Sequence, residues 1–274
     1  MILLLGGTSE TPLIAAQLAS AGYRVLVSQA TEVPLATGLH PHVDRRSGPL
    51  DERALAELVD RRRIRAIIDA AHPYAATIHA AAMRVAASKR IPCLRFLRPA
   101  VVAAPTPGVE LAPDHQAAAA AAFSRRQPVL LTTGARNLDP YVQQARRTGT
   151  PLVVRVLDHA PSRDACRRAG VPAERIIAAR GPFSIDANRQ HIRSFGIGVL
   201  VTKDGGVAGG TQEKLLAAHA EGCHVIVVAR PAISGQEAFG EIDTLLAALA
   251  GSGAKPERGV RQRARSQSGQ HGSP

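Results

Sequence analysis

Met1-Ile2-Leu3-Leu4-Leu5-Gly6-Gly7-Thr8-Ser9-Glu10 opens the chain: a short apolar run, a glycine pair, then polar residues at the threshold of a helical pattern. This order predicts a strand, a tight turn and a helix N-terminus. A turn without Cβ atoms lets backbone N–H groups approach a ligand, and the adjoining helix dipole favours an anion. The phosphate of a nucleotide cofactor is the expected guest. A plain strand-to-helix turn capped by Thr8 or Ser9 satisfies the same spacing.

The same alternation runs on through the chain. Apolar runs predict strands at 1–5, 24–28, 65–69, 92–95, 129–132, 151–156, 175–178, 198–202 and 224–229. Amphipathic stretches predict helices at 12–21, 51–62, 74–90, 114–126, 137–148, 163–169, 185–194, 211–221 and 237–249. Strand–helix alternation implies right-handed crossovers and parallel sheets covered on both faces, an α/β doubly wound class. Pro99, Pro105, Pro107 and Pro113 mark residues 99–113 as an irregular connection between a domain at 1–98 and another at 114–250. Residues 251–274 are Gly-, Ser-, Gln- and Arg-rich, a composition that predicts a disordered basic tail.

Composition narrows the function classes. Of 274 residues, 45% are hydrophobic, 20% charged and only 3% aromatic, with no Trp, so a sizeable aliphatic core is available and base-stacking platforms are scarce. Cys93, Cys166 and Cys223 are odd in number and widely spaced, which predicts no disulfide framework, no bound metal and a reducing cytoplasm. No apolar run reaches the roughly 20 residues of a membrane span. Lys255, Arg258, Arg261, Arg263 and Arg265 against Glu257 supply four of the twelve net positive charges, leaving eight to the body. That field suits a polyanionic metabolite or nucleic acid equally.

The remaining motifs fall at strand ends, where open α/β sheets take ligands. The second strand ends in Ser28 and Gln29, with Thr31 following, and lacks the carboxylate that would hold an NAD ribose. Hydroxyls tolerate a 2′-phosphate, which tips the cofactor toward NADP, while polar residues that merely begin a loop satisfy the same pattern. Asp69-Ala70-Ala71-His72-Pro73-Tyr74-Ala75 ends the third strand, its His-Pro step directing an imidazole toward the crevice. Thr132-Thr133-Gly134-Ala135-Arg136-Asn137, Arg180-Gly181-Pro182-Phe183-Ser184 and Thr202-Lys203-Asp204-Gly205-Gly206 repeat the theme. Only four of the 34 basic residues are lysines, and two of them, Lys203 and Lys214, flank one glycine-rich loop. Walker, nucleophile-elbow, zincin and Tyr-x-x-x-Lys patterns are missing, which disfavours ordinary kinase, hydrolase and zinc chemistry.

In order, Gly-Gly-Thr-x-Glu, Asp-Ala-x-His-Pro-Tyr-Ala, Arg95 with Arg98-Pro99, Thr-Thr-Gly-x-x-Asn-Leu, Gly-Pro-Phe-Ser, Val-Thr-Lys-Asp-x-Gly-x-x-Gly-Gly and Arg230-Pro231 resemble the precorrin-6A reductase family of cobalamin biosynthesis over about residues 1–250. The resemblance implies two Rossmann-like domains with a cleft between them and NADPH-dependent reduction of a ring-D double bond of the tetrapyrrole precorrin-6A, giving precorrin-6B. It implies cofactor contacts from Gly6, Gly7, Thr8, Ser9, Glu10, Ser28, Thr31, His72, Tyr74 and Ala75, and substrate contacts from Arg136, Phe183, Lys203 and Asp204. Lys203 is the candidate for orienting the macrocycle or assisting protonation. Thr11 departs from the family, where a Gly is frequent, and Gly205 stands where a Ser is frequent. A cobalt-precorrin-6A reductase is an open alternative, as is a non-catalytic nucleotide- or nucleic-acid-binding protein. The preferred reading expects no nucleic-acid or membrane partner.

Overall fold

The computed structural model describes residues 1–30, 40–97, 100–102, 107–206, 209–231 and 238–256. Two units emerge, Met1–Arg98 with Ala232–Pro274, and Pro99–Pro231. Each is built on a six-stranded sheet whose paired strands are all parallel.

The first unit runs β1 (Ile2–Leu5), α1 (Thr11–Ser20), β2 (Val25–Gln29), β3 (Val43–Ser47), α2 (Glu52–Arg61), β4 (Ala66–Asp69), α3 (Ala76–Lys89) and β5 (Cys93–Phe96). The second runs β6 (Val109–Ala112), α4 (His115–Ser124), β7 (Val129–Leu131), α5 (Asp139–Thr148), β8 (Leu152–Val156), α6 (Ala160–Ala169), β9 (Ile176–Ala178), α7 (Ile185–Ser194), β10 (Val199–Lys203), α8 (Thr211–Ala220) and β11 (His224–Val228). β12 (Ala238–Phe239) and α9 (Ile242–Gly251) then follow. Strand orders are β12-β5-β4-β1-β2-β3 and β6-β11-β10-β7-β8-β9. In each sheet three strands wind one way from a central strand and the next two wind the other way.

Alternation along β1 shows why the winding is double. Ile2 and Leu4 are buried with Ile14 and Leu18 of α1 and Leu245 and Leu249 of α9, whereas Leu3 and Leu5 are buried with Leu55 and Leu58 of α2 and Val85 of α3. Successive side chains leave opposite faces of a strand, so a strand apolar at every position needs helices on both sides.

All nine expected strands and all nine expected helices are found among the described residues, with shifted ends. Three strands were not anticipated: β3, β6 and β12, each at a sheet edge. Their consequence for the expected boundaries is direct. The segment 99–113 is more than a connection, because Val109–Ala112 pairs with β11 and Val102 enters the second core. The second unit also stops well short of 250. β12 pairs with β5, and α9 sinks Leu245 and Leu249 into the first core, each burial worth roughly 2 kcal/mol. The expected helix at 237–249 accordingly begins only at Ile242, after β12. Ala254 is buried in that core too, so the expected tail is structured at its start; residues 257–274 lie outside the described residues. No helix among the described residues is long and apolar enough to cross a membrane.

Candidate active site

In the first sheet the strand order reverses between β1 and β4, and ligands of such sheets lie beyond the carboxyl ends at that point. The turn after β1 is stitched to both neighbours. Gly6 donates its N–H to the Ser28 carbonyl at 2.8 Å, and the Thr8 hydroxyl donates to the Ala70 carbonyl at 3.2 Å. A Cβ on Gly6 would collide with the Thr11 methyl. Gly7 has φ +107°, a left-handed conformation that favours glycine, and the space beside it is open for 4 Å.

Thr11 changes the expected anion cradle. Fully buried as the first residue of α1, its Oγ1 accepts the N–H groups of both Gly7 and Thr8 at 3.1 Å. Two of the amides expected to face a phosphate are therefore occupied. The amide of exposed Ser9 has no acceptor among the described residues, while its hydroxyl donates to Glu10 Oε2 at 3.2 Å. Glu10 is the N-cap residue of α1.

At the end of β2, Ser28 is buried and pairs across the sheet with Arg46 of β3. Arg46 Nη1 donates to Ser28 Oγ at 2.7 Å and to the Gly48 carbonyl at 3.0 Å. Burial and the nearby Arg61 charge pull the Arg46 guanidinium below its usual range, an environment that favours an anion. Arg46 was missed by sequence reading because its strand shows no apolar pattern. Thr31 lies outside the described residues.

The loop from β4 to α3 hangs on a buried pair. Asp69 Oδ2 lies 2.6 Å from Nδ1 of His79, and Oδ1 accepts the Ala71 N–H at 3.2 Å. His79 Nε2 lies 3.0 Å from the His72 carbonyl. Both ring nitrogens thus face acceptors, and the histidine clamps the loop while expected His72 is exposed at its rim. Tyr74 and Ala75 follow it: the His72 and Tyr74 rings lie 5.6 Å apart, and the Ala75 N–H donates to the His72 carbonyl at 2.8 Å. Beside Asp69 on β5, Arg95 is buried with its Nη1 unpartnered among the described residues.

The second sheet reverses between β7 and β10, and its carboxyl edge is cationic. Lys203, at the end of β10, has its amine drawn below the usual lysine range by burial and then by the charge of exposed Arg136. His115 is pulled down to about 4, by burial first and Lys203 second. Its Nε2 accepts from the Asn137 amide at 3.1 Å and its Nδ1 donates to Tyr141 Oη at 2.8 Å. Phe183 covers the guanidinium of Arg155, which lies 4.1 Å above its ring. Asp204 differs from its expected place at the substrate. It is buried, and its carboxylate accepts the N–H of Val102 at 3.0 Å and of Gly206 at 2.9 Å, and Arg230 Nη2 at 3.3 Å, so it holds the loop instead. Here too a helix-leading threonine serves the turn, with Thr211 Oγ1 accepting the Gly205 N–H at 3.0 Å. Sequence reading noticed Lys214 only through its rarity and missed Arg155, which sits inside an apolar run.

The cobalt-precorrin-6A reductase of Priestia megaterium is 29% identical over 250 residues, covering 91% of this chain and 98% of that protein. The precorrin-6A reductase of Rhodobacter capsulatus is 30% identical over 261 residues, covering 94% and 99%. Among solved structures, CobK precorrin-6A reductase superposes with a TM-score of 0.76 at 28% identity, over 93% of this chain and 98% of that one. The family model described as precorrin-6x reductase CbiJ/CobK matches residues 1–250, and the chain belongs to that family.

Proposed function

We propose that this protein reduces a ring-D double bond of precorrin-6A to give precorrin-6B, using NADPH in the cytoplasm. The observation that carries the cofactor choice is the Ser28–Arg46 contact of 2.7 Å: a hydroxyl and a guanidinium stand where a carboxylate would select NAD. The first unit's residues fit a dinucleotide. Gly6 and Gly7 keep Cβ atoms out of the turn, the amide of exposed Ser9 has no acceptor among the described residues, and Arg46 with Ser28 would receive a 2′-phosphate. The bound reduced nicotinamide supplies a hydride.

Everything else is positioning and charge. Thr8, held to Ala70, fixes the β1 turn against the end of β4. Lys203, half-buried with a weakened hold on its proton, would orient the macrocycle or assist protonation at its edge. Arg136 and Phe183 would meet the tetrapyrrole, whose carboxylates suit the cationic edge of the second sheet.

The test is fluorescence titration with NADPH and NADH, for wild type and Gly7→Val, followed by turnover with metal-free and cobalt-loaded precorrin-6A. NADPH-selective binding that is lost in the variant supports the reading. A folded protein that binds neither nucleotide overturns it.

A further inference from the structure

We propose that Arg155 and Lys214 form a carboxylate-binding site in the second unit, occupied by a peripheral carboxylate of the tetrapyrrole; the assignment rests on the function proposed above.

Register locates the site. Val153, Leu130 and Leu200 lie abreast on β8, β7 and β10 in one apolar cluster with Ile192 of α7 and Ala217 and Ala218 of α8. Two residues further along, Arg155 and Thr202 leave β8 and β10 on that same face. Here the aliphatic layer gives way to a buried polar one: Arg155 is 6% exposed and Thr202 fully buried.

The direct hydrogen-bond partners of the two cations are neutral, and the charges of Asp204 and Glu213 reach Lys214 only from beyond 4 Å. Arg155 Nη1 donates to Asn188 Oδ1 at 2.8 Å and to His191 Nδ1 at 3.2 Å, and Phe183 covers one guanidinium face. Lys214 reaches in from α8 to donate to Thr202 Oγ1 at 3.2 Å. Among the described residues neither cation has a carboxylate within 4 Å. Asp204 is engaged by Val102, Gly206 and Arg230, and the buried Oε2 of Glu213 makes no hydrogen bond among the described residues.

A buried Arg155 and a half-buried Lys214 with no carboxylate in direct contact are costly to keep charged and repel each other. Burial, with Arg155 adding to it and outweighing the opposing charges of Asp204 and Glu213, pulls the Lys214 amine down to about 8, and burial pulls Arg155 down to about 10. An arriving carboxylate relieves both. The Nε and Nη2 atoms of Arg155 make no hydrogen bond among the described residues, which leaves the edge of the guanidinium that accepts a carboxylate in bidentate fashion.

The test pairs kinetics with a binding readout. Arg155→Gln and Lys214→Met should each raise KM for precorrin-6A about 10- to 100-fold, the loss expected for a charged hydrogen bond, with NADPH affinity unchanged and partial rescue in Arg155→Lys. With only four lysines, isotope-labelled lysine resolves the Lys214 amine, assigned by its loss in Lys214→Met. Adding precorrin-6A in the presence of NADP+, so that nothing turns over, should move its titration midpoint upward. An unmoved midpoint overturns the site, as does a variant set that loses stability at unchanged KM. Loss of NADPH affinity alone also overturns it, by assigning the charges to a cofactor phosphate. Absence of wild-type turnover speaks against the proposed reaction, whereas the Lys214 response to the macrocycle still decides the site.

Discussion

The two sheets share one winding and differ at the point where it reverses. Beyond β1 and β4 the first unit presents a glycine turn whose Gly7 and Thr8 amides Thr11 already holds, hydroxyls and a buried Asp69–His79 pair, with Arg46 added from an edge strand. Beyond β7 and β10 the second presents Lys203, Arg155 and Lys214, all drawn from their usual protonation range by burial. Both turns lean on a buried threonine at the head of the following helix, Thr11 and Thr211. Topology therefore supplies the crevice twice, and the side chains at the strand ends decide what each can hold.

The comparison breaks most readily at the first unit's buried pair. Asp69→Ala leaves the buried His79 ring and the Ala71 N–H without their shared acceptor and should cost about 3–5 kcal/mol in a denaturant melt, while a loss under 1 kcal/mol would show the loop to be held otherwise. In the second unit Asp204→Ala frees two amides and Arg230, with an expected cost of about 2–3 kcal/mol by the same measurement. Equal costs at Asp69 and Asp204 would erase the distinction between the two loops.

The cationic half makes its own prediction with pH. Lys214 titrates near 8 in the fold against 10.5 when free, so between those values the unfolded chain binds more protons and unfolding free energy should rise with pH. Subtracting the Lys214→Met profile should isolate a rise of about 2 kcal/mol across that window, and identical profiles would remove the buried charge from the account. The smallest effect sharpens the nucleotide half. Arg46→Ala should weaken NADPH binding about tenfold, or about 1.4 kcal/mol, and leave NADH untouched. Equal losses for the two nucleotides would separate Arg46 from the 2′-phosphate.

Legibility followed burial. β1, β4, β7 and β10 read clearly because they are buried on both faces and apolar at nearly every position. Edge strands answer mainly to backbone pairing, so Val43-Asp44-Arg45-Arg46-Ser47 carries no apolar rhythm and passes for a loop. Arg46 was lost with it. The two-residue β12 was invisible for the same reason, which displaced the domain boundary and assigned α9 to the wrong unit. At the sites, glycine turns are legible because their residue types are restricted. His79 and Arg155 sit in helical and strand patterns where a polar residue reads as surface, and only their partners, Asp69 and Asn188, reveal otherwise.

The sequence by itself determined the class, the number of principal strands and helices, the order of the loops and the family, because each rests on local periodicity or on motif order. Tertiary structure alone decided that α9 returns to the first core and that Thr11 occupies the turn amides. It likewise decided that Asp204 clamps its loop and that buried Arg155 and half-buried Lys214 have no carboxylate within 4 Å among the described residues. Those outcomes depend on which atoms meet across long separations in the chain, and a residue's identity and spacing hold no record of its partner.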